Sequence, residues 1–258
     1  MAKRLKTWQD KRYYHKAHEA SEESLNHPAL LEISKLAKKA AKIIELGCGE
    51  GTKLAFLTSR MKKRFGVDIS EEAISQAKKK YKDITFIVGD IENGLNFKDG
   101  NFDLVFSAFV LEHLSKPEEF LKEAIRLMAT RGKIVLVAPN FGSPNRASPC
   151  FRDSRLEKLL VDFLKDLFGR TGLDWKRVIP RTNEEYEIDF DTTAEPYLLT
   201  LKRFLEERGV KTLKFSSLWS QEEKDAKLHQ RLFRFFGEKN IYPFNFWGPH
   251  LFYVGEKK

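Results

Sequence analysis

At 258 residues, 41% hydrophobic and 32% charged, the chain is too apolar to be disordered and suits one large domain or one domain with a sizeable insertion. Fifteen of its 46 basic residues but only seven of its 37 acidic ones lie in residues 1–64, so nearly all of the net charge of +9 sits in the first quarter, where a solvated helix face explains it better than an RNA-binding stripe. No apolar run reaches the roughly 18 residues that span a bilayer, and the basic N-terminus lacks the apolar core of a secretory signal. The two cysteines, Cys48 and Cys150, have no metal-ligand spacing, which argues against a zinc or disulfide framework and for a reducing cytoplasm.

Residues 1–24 are polar, with Trp8, Tyr13, Tyr14 and His15 embedded, and form an N-terminal cap segment. Helical spacing of Leu30, Leu31, Ile33, Leu36, Ala37 and Ala40 predicts a helix over 25–41. The short apolar run 43–46 ends at glycines and reads as a strand meeting a tight turn. A helix over 53–60 and a strand over 64–69 follow. Ser70 is placed to cap a helix over 71–81, whose first turn carries Glu71 and Glu72. Strands at 84–88 and 102–106 come next, then a helix over 117–128 opened by Pro117 with Glu118 and Glu119. Arg131-Gly132 reads as a turn before a strand over 133–138.

Beyond 138 the rhythm breaks. A loop at 139–151 leads to an amphipathic helix over 153–168 and an irregular, acidic stretch at 174–193. A helix over 194–209, a strand at 211–216, a helix over 221–236 and a strand at 250–254 complete the chain. Alternating near-continuous apolar strands and helices indicate an α/β, doubly wound, mostly parallel sheet. With strands at 43–46, 64–69, 84–88, 102–106, 133–138, 211–216 and 250–254 it is seven-stranded. We assign 25–258 to one domain, with 140–192 as a helical, substrate-side insertion after the fifth strand. Ligands in such sheets bind beyond the carboxyl ends of the strands, and every motif below falls at such an end.

The first motif is Glu45-x-Gly47-x-Gly49-x-Gly51. Glycine permits a sharp turn and a close backbone approach to a ligand, and a helix follows at once with its free amides. The dinucleotide spacing is G-x-G-x-x-G. Here it is G-x-G-x-G with an acid two positions upstream, which suits a ligand with a cationic amine better than a pyrophosphate. The second motif ends a strand at Asp68-Ile69, where an acid can accept from both ribose hydroxyls. Its alternative is a turn or capping acid. The third is Asp90-Ile91, and the fourth is the stretch from Phe102 through Ser107, Ala108, Phe109 and Glu112 to His113 and Leu114.

Glu45 to Thr52 resembles the first motif of the class I S-adenosylmethionine-dependent methyltransferases. The resemblance covers roughly residues 25–140, and the FDLV…LEHL stretch is similar to the branch that includes small-molecule and ubiquinone-pathway enzymes. It implies a Rossmann-like methyltransferase fold, S-adenosyl-L-methionine as cofactor and no metal. It implies that Gly47, Cys48 and Gly49 wrap the methionine part, with Glu45 and Gly51 also binding the cofactor, Asp68 the ribose with Ile69 against adenine, Asp90 the adenine amino group with Ile91 over the ring, and Ser107 and Ala108 the sulfonium end. His113 is the best general base, since its reference pKa lies near neutrality; a structural role in this turn stays equally open. The acceptor is expected between the N-terminal segment, with Tyr14 and His15, and the insertion side, with Phe109 and Asn140.

No Asn/Asp-Pro-Pro-Tyr/Phe follows the fourth strand, which speaks against the branch that methylates adenine or glutamine nitrogens. The expected reaction is methyl transfer to an oxygen, nitrogen or carbon of a small or medium-sized acceptor. An RNA acceptor at the basic first quarter is the alternative, opposed by the acidic run 184–191. An NAD(P)-dependent oxidoreductase and a catalytically silent cofactor-binding subunit are the alternatives from other classes. Oligomeric state is not legible.

Overall fold

Apolar residues alternate along the first strand: Ile43 belongs to one buried cluster, Ile44 and Leu46 to the other. A strand that buries both faces needs helices on both sides of its sheet. The structure, a computed structural model, describes residues 8, 25, 27–58, 63–170, 172–181, 189–217 and 228–258. In it, α1 (Pro28–Ala37), β1 (Lys42–Leu46), α2 (Thr52–Leu57), β2 (Lys63–Asp68), α3 (Glu71–Lys80) and β3 (Thr85–Val88) alternate, followed by β4 (Phe102–Ala108), α4 (Pro117–Leu127) and β5 (Met128–Pro139). Then come α5 (Arg155–Phe168), α6 (Leu198–Glu206), β6 (Val210–Ser216), α7 (Leu228–Glu238) and β7 (His250–Lys257).

The sheet has seven strands in the order β3-β2-β1-β4-β5-β7-β6. The first five are parallel, and β7 runs antiparallel between β5 and β6. Residues of α1, α2 and α3 pack on one face, and those of α4 and α6 on the other. The chain leaves β1 for β2 and β3, then returns to the opposite flank of β1 with β4. The crevice at this reversal is where an open α/β sheet receives its ligand.

The local signals explain most boundaries. Ser70 Oγ accepts from the Ala73 amide and caps α3, with Glu71 and Glu72 in its first turn. Pro117 opens α4 ahead of Glu118 and Glu119. The turn expected at Arg131-Gly132 is instead absorbed into one long β5. The register jumps from Phe102↔Met128 to Leu104↔Lys133, so the extra residues bulge there, with Arg131 at φ 61°. A side chain at Gly132 would strike the Ala129 carbonyl at 2.7 Å.

Helix α5 is inverted relative to its sequence pattern. Lys158 and Asp166 are buried, while Leu156 is 67% and Phe168 85% exposed, with Leu160, Leu164 and Leu167 also open. The buried polar side is fully engaged. Lys158 Nζ donates to Glu195 Oε2 at 2.6 Å and to the Phe141 carbonyl at 2.7 Å. Asp166 Oδ1 accepts from Arg170 Nε at 2.6 Å, and its other oxygen receives the Tyr197 hydroxyl. Among the described residues of 140–192 no strand forms; Arg177↔Ala194 is an isolated bridge.

Candidate active site at the carboxyl ends of β1, β2 and β4

The turn after β1 needs its glycines for separate reasons. Gly47, Gly49 and Gly51 all have positive φ, at 77°, 53° and 86°. A side chain at Gly47 would meet Val110 Cγ2 at 2.4 Å, and one at Gly51 would meet Phe86 Cζ at 2.7 Å. At Gly49 nothing lies within 4 Å, so this glycine leaves its backbone open to an approaching group. The Gly47 and Cys48 amides both donate to the Val67 carbonyl, at 2.8 and 3.0 Å, which ties the turn to β2. Cys48 itself packs in the core. Burial pushes its thiol well up, and the side chain is closed off from the turn's open side.

Glu45 is fully buried in β1. Burial pushes its carboxyl up to about 8, against the pull of the Lys53 ammonium and a slight easing by the Leu54 amide. Among the described residues no hydrogen bond of normal geometry closes on either carboxylate oxygen. An ionised acid so placed is costly, and a cation bound at this loop would stabilise it. Asp68 joins two elements: Oδ2 accepts from the Gly49 amide at 2.8 Å and Oδ1 from the Ser70 amide at 2.9 Å. Burial raises its pKa against these same bonds. A carboxylate has about four lone-pair sites, so each oxygen retains capacity for a hydroxyl. Ile69 beside it is half-buried.

Asp90 accepts from the Glu92 amide at 3.1 Å and from Asn93 Nδ2 at 2.6 Å, capping the short helix Ile91–Asn93. Ile91 is nine-tenths buried in the core cluster of the α4 face. Ser107 and Ala108 lie at the end of β4 with their side chains sequestered. Ser107 Oγ donates to the Leu46 carbonyl at 2.7 Å, and Ala108 packs against the opposite face.

His113 ends the short helix Leu111–His113 directly after β4 and stands among carboxylates. Its Nδ1 is 3.6 Å from Asp191 Oδ2 and its Nε2 3.8 Å from Glu112 Oε1. Burial alone would lower its pKa, but Asp191 and Glu112 outweigh it and hold the imidazole above its usual value. Burial pushes the Glu112 carboxyl up to about 7, with His113 opposing. Backbone ties fix the pairing: the Thr193 and Ala194 amides donate to the Glu112 carbonyl at 2.8 and 3.0 Å. Trp8 Nε1 donates to Asp191 Oδ2 at 2.9 Å, and its ring lies edge-on to His113 at 5.9 Å. Glu112, Asp191 and Asp189, whose charges all bear on His113, were not singled out by sequence reasoning. Glu112 was visible as the neighbour of His113, but nothing local signalled its burial.

On the acceptor side the structure redistributes the expected residues. Tyr14 and His15, with Tyr13, lie outside the described residues. Asn140 does not face a pocket. It is fully buried, its Nδ2 donating to the Phe246 and Gly248 carbonyls at 2.6 and 2.9 Å and its Oδ1 accepting from the Leu198 amide at 3.0 Å. The end segment needs that strap because β7 must return antiparallel beside β5. Phe109 does sit at the end of β4, at φ 61°, and packs edge-on against His27 and His250, with ring centroids at 6.2 and 6.4 Å. Neither histidine was singled out from the sequence. A charged cleft of 680 Å³ opens elsewhere, lined by Phe151, Asp162, Lys165, Arg170 and Lys176 among others, and none of the expected site residues borders it.

An unsatisfied buried acid, an open glycine and a carboxylate with spare acceptor capacity fit a ligand that carries an ammonium group and a ribose. Among the described residues no group of three or more His, Cys, Asp or Glu could hold a metal, and no helix is long and apolar enough to cross a membrane. Residues 44–136 match the model of a methyltransferase domain. The chain is similar to norajmaline N-methyltransferase of Rauvolfia serpentina, 31% identical over 40% of this chain and 37% of that protein. It is similar to the chloroplastic tocopherol O-methyltransferase of Arabidopsis thaliana, 28% identical over 55% of this chain and 43% of that one. The match thus spans less than half the length of these relatives. In fold it resembles an S-adenosylmethionine-dependent methyltransferase from Mesorhizobium loti, with a TM-score of 0.54 at 15% identity over 89% of this chain and 96% of that one.

Proposed function

We propose that this chain, which carries a class I S-adenosylmethionine-dependent methyltransferase domain, methylates an oxygen, nitrogen or carbon of a small or medium-sized acceptor. The observation that carries this reading is the juxtaposition of Glu45, Gly49 and Asp68 at the β1–β4 switch point, with an acid–base cluster one turn beyond β4.

Glu45, whose carboxyl burial pushes up to about 8, ionises beside the amine of the methionine part and then supplies negative charge to it. Gly47 and Gly49 let the backbone come close. Asp68 accepts the ribose hydroxyls while its bonds to Gly49 and Ser70 hold the two loops together. Asp90 with Ile91 receives the adenine, and Ile69 packs on it. Bound there, the cofactor supplies an electrophilic methyl group on a sulfonium. His113 takes the proton that the acceptor oxygen or nitrogen gives up, and Asp191 and Glu112 stabilise the imidazolium that results. Alignment and exclusion of water do the rest. We read 140–192 as the insertion that covers the acceptor, in a chain working in the cytoplasm.

The acids Glu112, Asp189 and Asp191 gathered around His113 disfavour a polyanion there and so weigh against an RNA acceptor. Transfer of labelled methyl to a panel of small nucleophiles and to total RNA tests this. We expect S-adenosylhomocysteine to stabilise the chain against heat where NAD(P) does not, and label to enter the small-molecule pool. Stabilisation by NAD(P) alone, or label only in RNA, would overturn the reading.

A further inference from the structure

His27 caps α1 through its ring: Nδ1 accepts from the Ala29 amide at 3.1 Å. An imidazole that accepts at Nδ1 carries its proton on Nε2. Among the described residues that buried Nε2–H meets no partner, and neither does the buried Nδ1 of His250. The two rings stand 5.6 Å apart, edge to face, and Phe109 closes the triangle. Serine, threonine or aspartate would cap α1 without a leftover side-chain N–H, so capping alone does not explain a histidine at position 27.

The cluster's position ties it to the switch point. His250 opens β7 opposite Pro139, the last residue of β5. Because β7 is antiparallel, its start lies at the carboxyl end of the parallel strands. Phe109 follows the last residue of β4 at a positive φ that a bulky side chain rarely adopts. The next residue, Val110, presses on Gly47 of the cofactor turn. Burial holds both imidazoles neutral, at about 4, with His250 bearing on His27 and the Arg146 guanidinium on His250. Two neutral rings, one a definite unsatisfied donor, beside an arginine favour an oxygen carrying negative charge. Three flat rings set edge to face favour a flat, apolar body behind it.

We propose that His27, Phe109 and His250 form the acceptor subsite of this chain and that it receives an aromatic acceptor bearing an oxyanion, a carboxylate or a phenolate. The inference rests on the methyltransferase reading, since it names the acceptor of that same site. The His27 Nε2–H donates to the oxyanion, and the Phe109 edge bounds the ring.

The test uses the full chain, labelled with nitrogen-15 at histidine and saturated with S-adenosylhomocysteine. It is titrated with benzoate, with 4-nitrophenol above its ionisation, and with benzyl alcohol as the neutral aromatic. Benzoate or 4-nitrophenolate should move the His27 and His250 ring signals saturably, and benzyl alcohol should bind at least tenfold more weakly; the better of the two anions identifies the oxygen. His27→Asn keeps an acceptor for the Ala29 amide but, being shorter than an imidazole, withdraws the donor from where the Nε2–H stands, and His250→Phe keeps a ring. Each should weaken the anionic probe at least tenfold with S-adenosylhomocysteine affinity, measured by calorimetry, unchanged. Ring signals unmoved by either anion, or variants that bind the probes as well as the parent, would overturn the subsite. A chain that binds S-adenosylhomocysteine but neither anion loses only this inference. One that binds an anion at these rings but no S-adenosylhomocysteine loses the methyltransferase reading and with it the acceptor role, leaving an anion site only.

Discussion

Glu45 holds its proton to about 8 in the folded chain, against an ordinary 4.5. Between those values the unfolded state binds fewer protons than the folded one. Stability contributed at this position is therefore greatest below pH 4.5, falls as pH rises, and levels off above 8. Glu45→Gln removes that slope. Relative to the parent, the variant should gain stability by an amount of the order of a few kcal/mol between pH 4.5 and 8, read by urea unfolding across that window, while binding S-adenosylhomocysteine more weakly. Parallel pH curves for parent and variant would mean that Glu45 is ionised throughout. His113 has the opposite requirement. Its pKa lies above the usual 6.5 because Asp191 and Glu112 outweigh burial, and a base must be unprotonated. The rate should rise with pH through a value above 6.5, and His113→Gln should lower kcat by about 10²–10⁴ and flatten that limb. A retained limb assigns His113 to structure. Asp68→Asn should weaken S-adenosylhomocysteine at least tenfold, about 1.4 kcal/mol, by calorimetry.

At the scale of the element, propensity and tertiary packing part company at α5. Ser70 behaves as a local signal should: it caps α3 in the structure as its position implies, and Ser70→Ala should cost about 1 kcal/mol. The apolar stripe of α5 instead faces outward while Lys158 and Asp166 are buried. Leu160→Lys should therefore shift stability by no more than about 0.5 kcal/mol, whereas Phe204→Ala in α6, buried on the sheet, should cost about 3–5 kcal/mol. Thermal unfolding of the two variants side by side checks this. A large loss for Leu160→Lys would place the apolar stripe inside.

Across the whole molecule, the pair Lys158–Glu195 joins α5 to the segment that leads into α6. Both side chains are buried, and Glu195 Oε1 also accepts from the Ser148 amide at 2.8 Å. Lys158→Met leaves that carboxylate without its cation and should cost about 3–5 kcal/mol; the double variant with Glu195→Gln should recover most of the loss by urea unfolding. An unaltered single variant would mean that water reaches Glu195.

Sequence by itself determined the alternation of strands and helices and the positions of Glu45, the glycines, Asp68 and His113, because those signals are local: periodicity, a cap, a turn that only glycine permits. The same reasoning placed Asn140 beside the acceptor and did not see that three backbone groups take up its amide, since those partners lie 58 to 108 residues away. It likewise read Arg131-Gly132 as a turn, where cross-strand register makes a bulge. Tertiary structure alone decided that His27, from the start of α1, meets His250, from the start of β7, and that Glu112 and Asp191 raise His113. Burial and long-range proximity set the protonation of such groups, and neither is written in the spacing of neighbouring residues.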